Sequence, residues 1–214
     1  MKPADILHSV RGHMRDVALI VTRLSGQADV IAPDHWQDHC MAVLDQLDQH
    51  LTQSGAPASD RTQMIYAASC LLDETALRTL PETQRLQWQA TPLQVHRFGT
   101  LQGGEQVYEQ ISQALATPAP SLWLLACWQL VLALGFQGKY QHQDPAQRTQ
   151  LMHKLDQTIG AIDTPMQAAQ RRRRSLHWRS FSPWLWALLS CSLALIVYFL
   201  LQSWLHHAVS QLGS

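Results

Sequence analysis

The sequence predicts an all-α protein with one C-terminal transmembrane helix, and three observations carry that expectation. Apolar residues recur at spacings of three and four from Ile6 to Ile159, with Gly and Pro falling between the stretches. No run of alternating apolar and polar residues competes with them, which excludes a mixed or all-β fold. Residues 183–201 form a 19-residue stretch with nothing more polar than two serines and a tyrosine. At the α-helical rise they span about 28 Å, close to the hydrocarbon thickness of a bilayer.

The elements follow in order. Ile6, Val10, Val17, Val21 and Leu24 share one face of a first helical segment, which Ser25-Gly26 breaks. A second segment after Pro33 turns Trp36, Cys40, Val43, Leu44, Leu47 and Leu51 inward and ends at Ser54-Gly55-Ala56-Pro57. A third is expected from Ser59 or Asp60 to about Thr79, carrying Met64, Ala67, Ala68, Leu71 and Leu72 before Pro81 interrupts. Residues 81–104 show no sustained period and are expected to be irregular. Residues 105–116 carry Val107, Tyr108, Ile111 and Leu115. After Pro118 and Pro120, residues 121–134 are so apolar that their helix must be central. A last amphipathic helix follows Pro145 through Leu151, Leu155 and Ile159, and residues 160–170 are expected to be a linker.

The ends of the apolar stretch fix its orientation. Ser182 can cap the helix and Pro183 suits its first turn, while Trp178, Trp184, Trp186 and Trp204 cluster at its two ends as at lipid headgroups. Arg171, Arg172, Arg173, Arg174 and Arg179 precede it, and past Trp204 only His206 and His207 titrate. The positive-inside rule therefore places the N-terminal part in the cytoplasm. The expected organisation is a cytoplasmic helical domain over 1–162, a basic juxtamembrane linker over 163–182, a transmembrane helix over 183–204 and a short periplasmic tail over 205–214.

A formal net charge of zero hides a partition. All sixteen acidic residues precede Gln170, with eleven of the sixteen Lys and Arg, so that part is net negative and the rest net positive. An acidic cytoplasmic part argues against nucleic acid as a partner. The arginine run beside a membrane span marks topology and contact with anionic lipid. Cys40, Cys70, Cys127 and Cys191 are far apart, with no CxxC pair, and are expected to be buried thiols and not a disulfide or zinc framework.

Catalytic signatures are missing. There is no Gly-rich phosphate loop with its Lys, no GxSxG elbow and no zinc-protease Glu between His35 and His39, so no catalytic residue, cofactor or metal ligand is assigned. The alternative to an assembly protein is a membrane-tethered helical enzyme or ligand-binding regulator, and no positioned nucleophile supports it.

The most specific string is Leu134-Gly135-Phe136-Gln137-Gly138-Lys139-Tyr140. Gly135 is expected to end the apolar helix in a left-handed conformation, Phe136 to fold back onto the core, and Lys139 and Tyr140 to point outward. This string resembles the LGFxG(K/R)Y signature of the TssL, or DotU/IcmH, family of bacterial secretion-system proteins. Leu71-Leu72-Asp73-Glu74 is similar to the family's LxDE motif, and Gly103-Gly104-Glu105 with Val107-Tyr108 to its (G/A)GExxF/Y segment. The resemblance covers nearly the whole chain and is to the short form, without the peptidoglycan-binding domain of extended members; cell-wall anchoring is then expected from a partner.

The resemblance implies two packed three-helix bundles forming a hook, tethered to the inner membrane. It implies assembly with TssM (or an IcmF-like protein) and the lipoprotein TssJ in a type VI membrane complex, related to type IVB systems, and docking of baseplate subunits such as TssK and TssE. Asp73 is expected near the edge of the apolar face, where its carboxylate either caps something internal or meets a partner. Glu74 can pair with Arg78 one turn on, or dock a partner. Trp88, His96, Arg97 and Phe98 give residues 81–104 the aromatic and arginine content of an interface, although Trp88 and Phe98 are equally core candidates. Glu105 completes the docking set. Small residues at Ala187, Ser190, Cys191 and Ala194 allow a homodimer through the transmembrane helix.

Overall fold

The computed structural model of the chain describes residues 1–26, 36–142 and 145–178. Arg179, the apolar stretch 183–204 with its small-residue positions, and the tail 205–214 lie outside the described residues, as does His35. The chain divides into two units, Met1–Thr164 and Pro165–Ser214. In the second, Arg171, Arg172, Arg173 and Arg174 lie on helical backbone.

The first unit is helical throughout, with no strand among the described residues. Its elements are α1 (Pro3–His13), α2 (Arg15–Ser25), α3 (Trp36–Gln53), α4 (Ala58–Thr79), α5 (Glu82–Ala90), α6 (Leu93–Phe98), α7 (Gly103–Ala116) and α8 (Leu122–Ala133). A short 3₁₀ turn, Gly138–His142, then leads to α9 (Pro145–Trp178).

The axis of the fold is α4. Every residue from Met64 to Asp73 is buried, so the helix has no solvent face along its middle. It packs on α2 and α3, and also on α5, α6, α7 and α8. Its hydroxyls bond back along the helix, Ser69 Oγ to Ile65 O and Thr75 Oγ1 to Leu71 O, both at 2.8 Å, so they are buried without losing partners. The second buried helix is α8, seated against α1 and α4 with all residues from Leu122 to Trp128 buried. Residues Leu122–Gln141 are long and apolar enough to cross a membrane, with mean hydropathy 1.2, but 56% of the stretch is buried within the protein. It is therefore the central helix expected from the sequence.

Two expectations are corrected. The first apolar segment is two helices, because the backbone at the buried Met14 turns to ψ 0° and ends α1. Residues 81–104 are mostly helical: Pro81 and Pro92 occupy the N-cap positions of α5 and α6, where a missing N–H is harmless, and each starts a helix. Residues 160–170, expected as a linker, are helical within α9, and the boundary between the two units falls among them.

Candidate functional site

Asp73 and Glu74 follow the buried stretch of α4, and α4 directs them to two different segments. Asp73 is only 1% exposed. Its Oδ1 accepts hydrogen bonds from Trp88 Nε1 and Leu93 N, both at 2.8 Å, and its Oδ2 from Gln94 N at 3.0 Å. Leu93 and Gln94 are the first two residues of α6, whose N–H groups have no partner within the helix. Asp73 is thus an N-cap supplied from 20 residues away, placing negative charge at the positive end of α6. Burial pushes its carboxyl above the usual range, and the three N–H donors oppose that shift.

Glu74 does the same for another segment. Its Oε1 accepts from Gln137 N at 2.8 Å and its Oε2 from Gly138 N at 2.7 Å, both in the turn after α8. The expected pair with Arg78 is present at 3.6 Å, with Arg78 Nη1 also 3.5 Å from Gly135 O. Both glycines of that turn take positive φ, +102° at Gly135 and +49° at Gly138, which a side chain would resist. Phe136 is buried between them, as expected.

Glycines close the space between these segments. A Cβ on Gly103 would lie 2.3 Å from Cys70 Sγ and 2.8 Å from Gln94 Oε1. The same Gln94 oxygen accepts from Gly103 N at 3.0 Å, joining the start of α7 to α6. Gly138 sits against Gly104: a Cβ on Gly138 would meet Gly104 O at 2.7 Å and the Tyr108 ring at 3.0 Å. Tyr108 donates to Phe136 O at 3.3 Å and stacks on the Phe136 ring, while Tyr140 packs edge-on against Tyr108 at 4.6 Å. Arg148 of α9 donates to Phe136 O at 3.1 Å and Leu132 O at 2.5 Å, a cation on the carbonyl end of α8. Burial pushes the Tyr108 hydroxyl up to about 12.

What remains is a cleft of about 310 Å³, lined among others by Cys70, Asp73, Glu74, Arg78, Gln94 and Gln141. Burial, and the nearby Asp73 charge, push the Cys70 thiol well up, so it lines the wall as a protonated thiol. No group of three or more His, Cys, Asp or Glu among the described residues could hold a metal.

The sequence-predicted residues separate into two sets. Asp73, Glu74, Gly103, Gly104 and Gly138 meet at the cleft, with Phe136 in its wall. Of the two alternatives for Asp73, the geometry is the internal cap. Trp88 is buried, and Phe98 packs edge-on against Tyr66 at 5.1 Å. Arg97 pairs with Asp45 of α3 at 2.6 Å. His96 and Glu105 are exposed. Leu134 is half-buried at the end of α8. Tyr140 and Lys139 do not point outward: Tyr140 packs on the core, and Lys139 Nζ lies 5.4 Å from the Tyr140 ring and 5.9 Å from that of Tyr108. Gln94 and Arg148 escaped sequence reasoning because their partners are carbonyl and amide groups of other elements, which leave no local pattern.

The sequence profile described as "Type VI secretion system protein DotU" matches residues 11–204. The chain belongs to the DotU family of type VI secretion proteins. A crystal structure of T6SS SciP/TssL from enteroaggregative Escherichia coli 042 is 30% identical, with 69% of this chain and 86% of that chain covered and a TM-score of 0.61. The cytoplasmic domain of TssL from Acinetobacter baumannii is 22% identical over 72% of this chain and 98% of that chain, with a TM-score of 0.64, a likeness of fold. Comparison with curated proteins finds no match.

Proposed function

We propose that the chain is an inner-membrane docking subunit of a type VI secretion membrane complex, joining TssM (IcmF-like) and TssJ to the cytoplasmic baseplate through subunits such as TssK and TssE. The observation that carries this proposal is the family match over residues 11–204, which runs through both the helical unit and the apolar stretch 183–201. One helix of that length suffices for an anchor, and the five arginines before it suit anionic lipid and a cytoplasmic N-terminal unit. A second copy could meet the span at its small residues.

The docking surface we assign is made by exposed residues close in sequence to the cleft lining, His96 on α6 and Glu105 on α7, beside Arg97, which Asp45 holds. Asp73, Glu74, Trp88 and Phe98 support that surface from within. Supporting an assembly role over catalysis is the state of the buried groups: both carboxylates are occupied by N–H donors and the one thiol at the cleft is protonated.

The test is affinity purification of the full chain from membranes. Recovery of the IcmF-like and baseplate subunits, with loss of the baseplate on His96→Glu plus Glu105→Arg, is the expected result. Recovery of neither partner by the unaltered chain rejects the proposal. Protease treatment of spheroplasts should leave the first unit intact; its digestion from outside would reverse the topology.

A further inference from the structure

We infer that Asp73 and Glu74 are positioning residues: a two-sided clamp on α4 that sets the spacing of α6 and the 137–138 turn across the cleft, and touches no partner. This inference rests on the docking role proposed above and says which atoms do the docking.

The two carboxylates are consecutive on a helix, so their side chains leave it about 100° apart. Each finds a pair of backbone N–H groups that no other acceptor among the described residues serves. Asp73 holds Leu93 N and Gln94 N. Glu74 holds Gln137 N and Gly138 N. The two segments lie 40 residues or more apart in sequence, and α4 is the rigid element they share. Partner atoms have little access: Asp73 is 1% exposed and the Glu74 side chain 16%. With Asp73 also taking Trp88 Nε1, three of the four carboxylate oxygens accept strong bonds at 2.7–2.8 Å and the fourth one at 3.0 Å. A docked protein would have to open these bonds to reach the buried Asp73 charge, and at Glu74 it would meet a carboxylate already holding two amides.

Contact then falls to what the clamp presents. On the turn that is Gln141, which is exposed and lines the cleft. On α6 it is His96, exposed one turn after the capped amides. Negative charge in this motif works on the protein's own backbone, where a carboxylate on free N–H groups is worth most.

The experiment uses the full chain in nanodiscs, with Glu74→Gln, Asp73→Asn, Asp73→Glu and Gln141→Arg compared with the unaltered protein. Amide hydrogen exchange is followed at 93–94 and 137–138, alongside recovery of the baseplate subunits. Glu74→Gln replaces one charge-assisted acceptor by an NH₂ that faces an N–H, and exchange at 137–138 is expected to rise about 10- to 100-fold. Baseplate recovery should fall with it. Gln141→Arg should cut recovery with exchange unchanged.

If Glu74→Gln abolishes recovery while exchange at 137–138 stays as in the unaltered chain, its charge is a contact and the clamp is wrong. Faster exchange with full recovery overturns it too, as does full recovery by Gln141→Arg. Should Asp73→Asn fail to fold, Asp73→Glu keeps the charge but moves the acceptor by one methylene; unaltered exchange at 93–94 in that variant counts against the Asp73 side of the clamp. If even the unaltered chain recovers no baseplate subunit, the docking role fails while the exchange data still decide the clamp.

Discussion

Adding a single methyl group at Gly103 tests the interlock of α4, α6 and α7. The new Cβ would stand 2.3 Å from Cys70 Sγ, 2.8 Å from Gln94 Oε1 and 3.1 Å from Cys70 Cβ. None of these can persist, so α7 must shift away from α4 or the Cys70 and Gln94 side chains must move. Overpacking of this kind costs about 1–3 kcal/mol, and displacing Gln94 adds about 1 kcal/mol for its bond to Gly103 N. Against this, Ala is preferred to Gly in a helix by about 0.5–1 kcal/mol. The expected net loss for Gly103→Ala is roughly 1–3 kcal/mol. Its neighbour is the control: a Cβ on Gly104 finds nothing nearer than 3.5 Å, so Gly104→Ala should stay within about 0.5 kcal/mol of the parent. Cys70→Ala removes the 2.3 Å obstacle, and the double variant should be more stable than the sum of the single effects by at least about 1 kcal/mol. The assay is urea unfolding of the full chain in detergent, followed by circular dichroism. Equal effects at the two glycines, or strict additivity with Cys70→Ala, would refute the packing described here.

Three further outcomes follow from the same geometry. Gly138→Ala combines φ +49° with a Cβ 2.7 Å from Gly104 O, and should cost more than Gly103→Ala in the same unfolding assay. Arg97→Ala should cost less than about 1 kcal/mol, and less still in high salt, because Asp45 is more than half exposed; a large, salt-insensitive loss would contradict this. Burial pushes the thiols of Cys40 and Cys127 up to about 12 from 9.0. The folded state thus keeps these protons longer, and the stability linked to them is complete below pH 9.0 and lost as pH rises toward 12. At pH 10.5 the loss is about 2 kcal/mol for each thiol, and Cys127→Ala should flatten the alkaline fall in thermal midpoint.

Most of the fold was legible because most of its helices report themselves locally. The inward residues of α3, from Trp36 to Leu51, follow one helical face, and the apolar length of α8 required burial before any partner was known. The two short helices α5 and α6 gave no such signal. Between them they bury only Trp88 and Leu93, too few positions to establish a period. The start of α6 is capped by Asp73, 20 residues before Leu93. A helix capped by a distant side chain reads as a loop until the tertiary contact is known. The break at Met14 was hidden for the opposite reason: the apolar face continues across it, so periodicity saw one helix where the backbone makes two.

The residue types at the cleft explain why its motifs stand out in sequence and yet are poor guides to contact. Four of the side chains or positions that define it, Asp73, Glu74, Gly103 and Gly138, engage backbone: the acids accept from amides, and the glycines let other segments approach. Such roles tolerate few substitutes. Only a carboxylate reaches two N–H groups with charge, and only glycine leaves room at 2.3–2.7 Å separations. Exposed side chains such as His96, Glu105 and Gln141, by contrast, are ones the fold hardly constrains, and the docking role proposed above would fall to them. The outline of the cleft is thus set by groups turned inward. Exchanging those outward residues between two family members should therefore exchange partner preference without altering stability, whereas exchanging the framing residues should alter stability first.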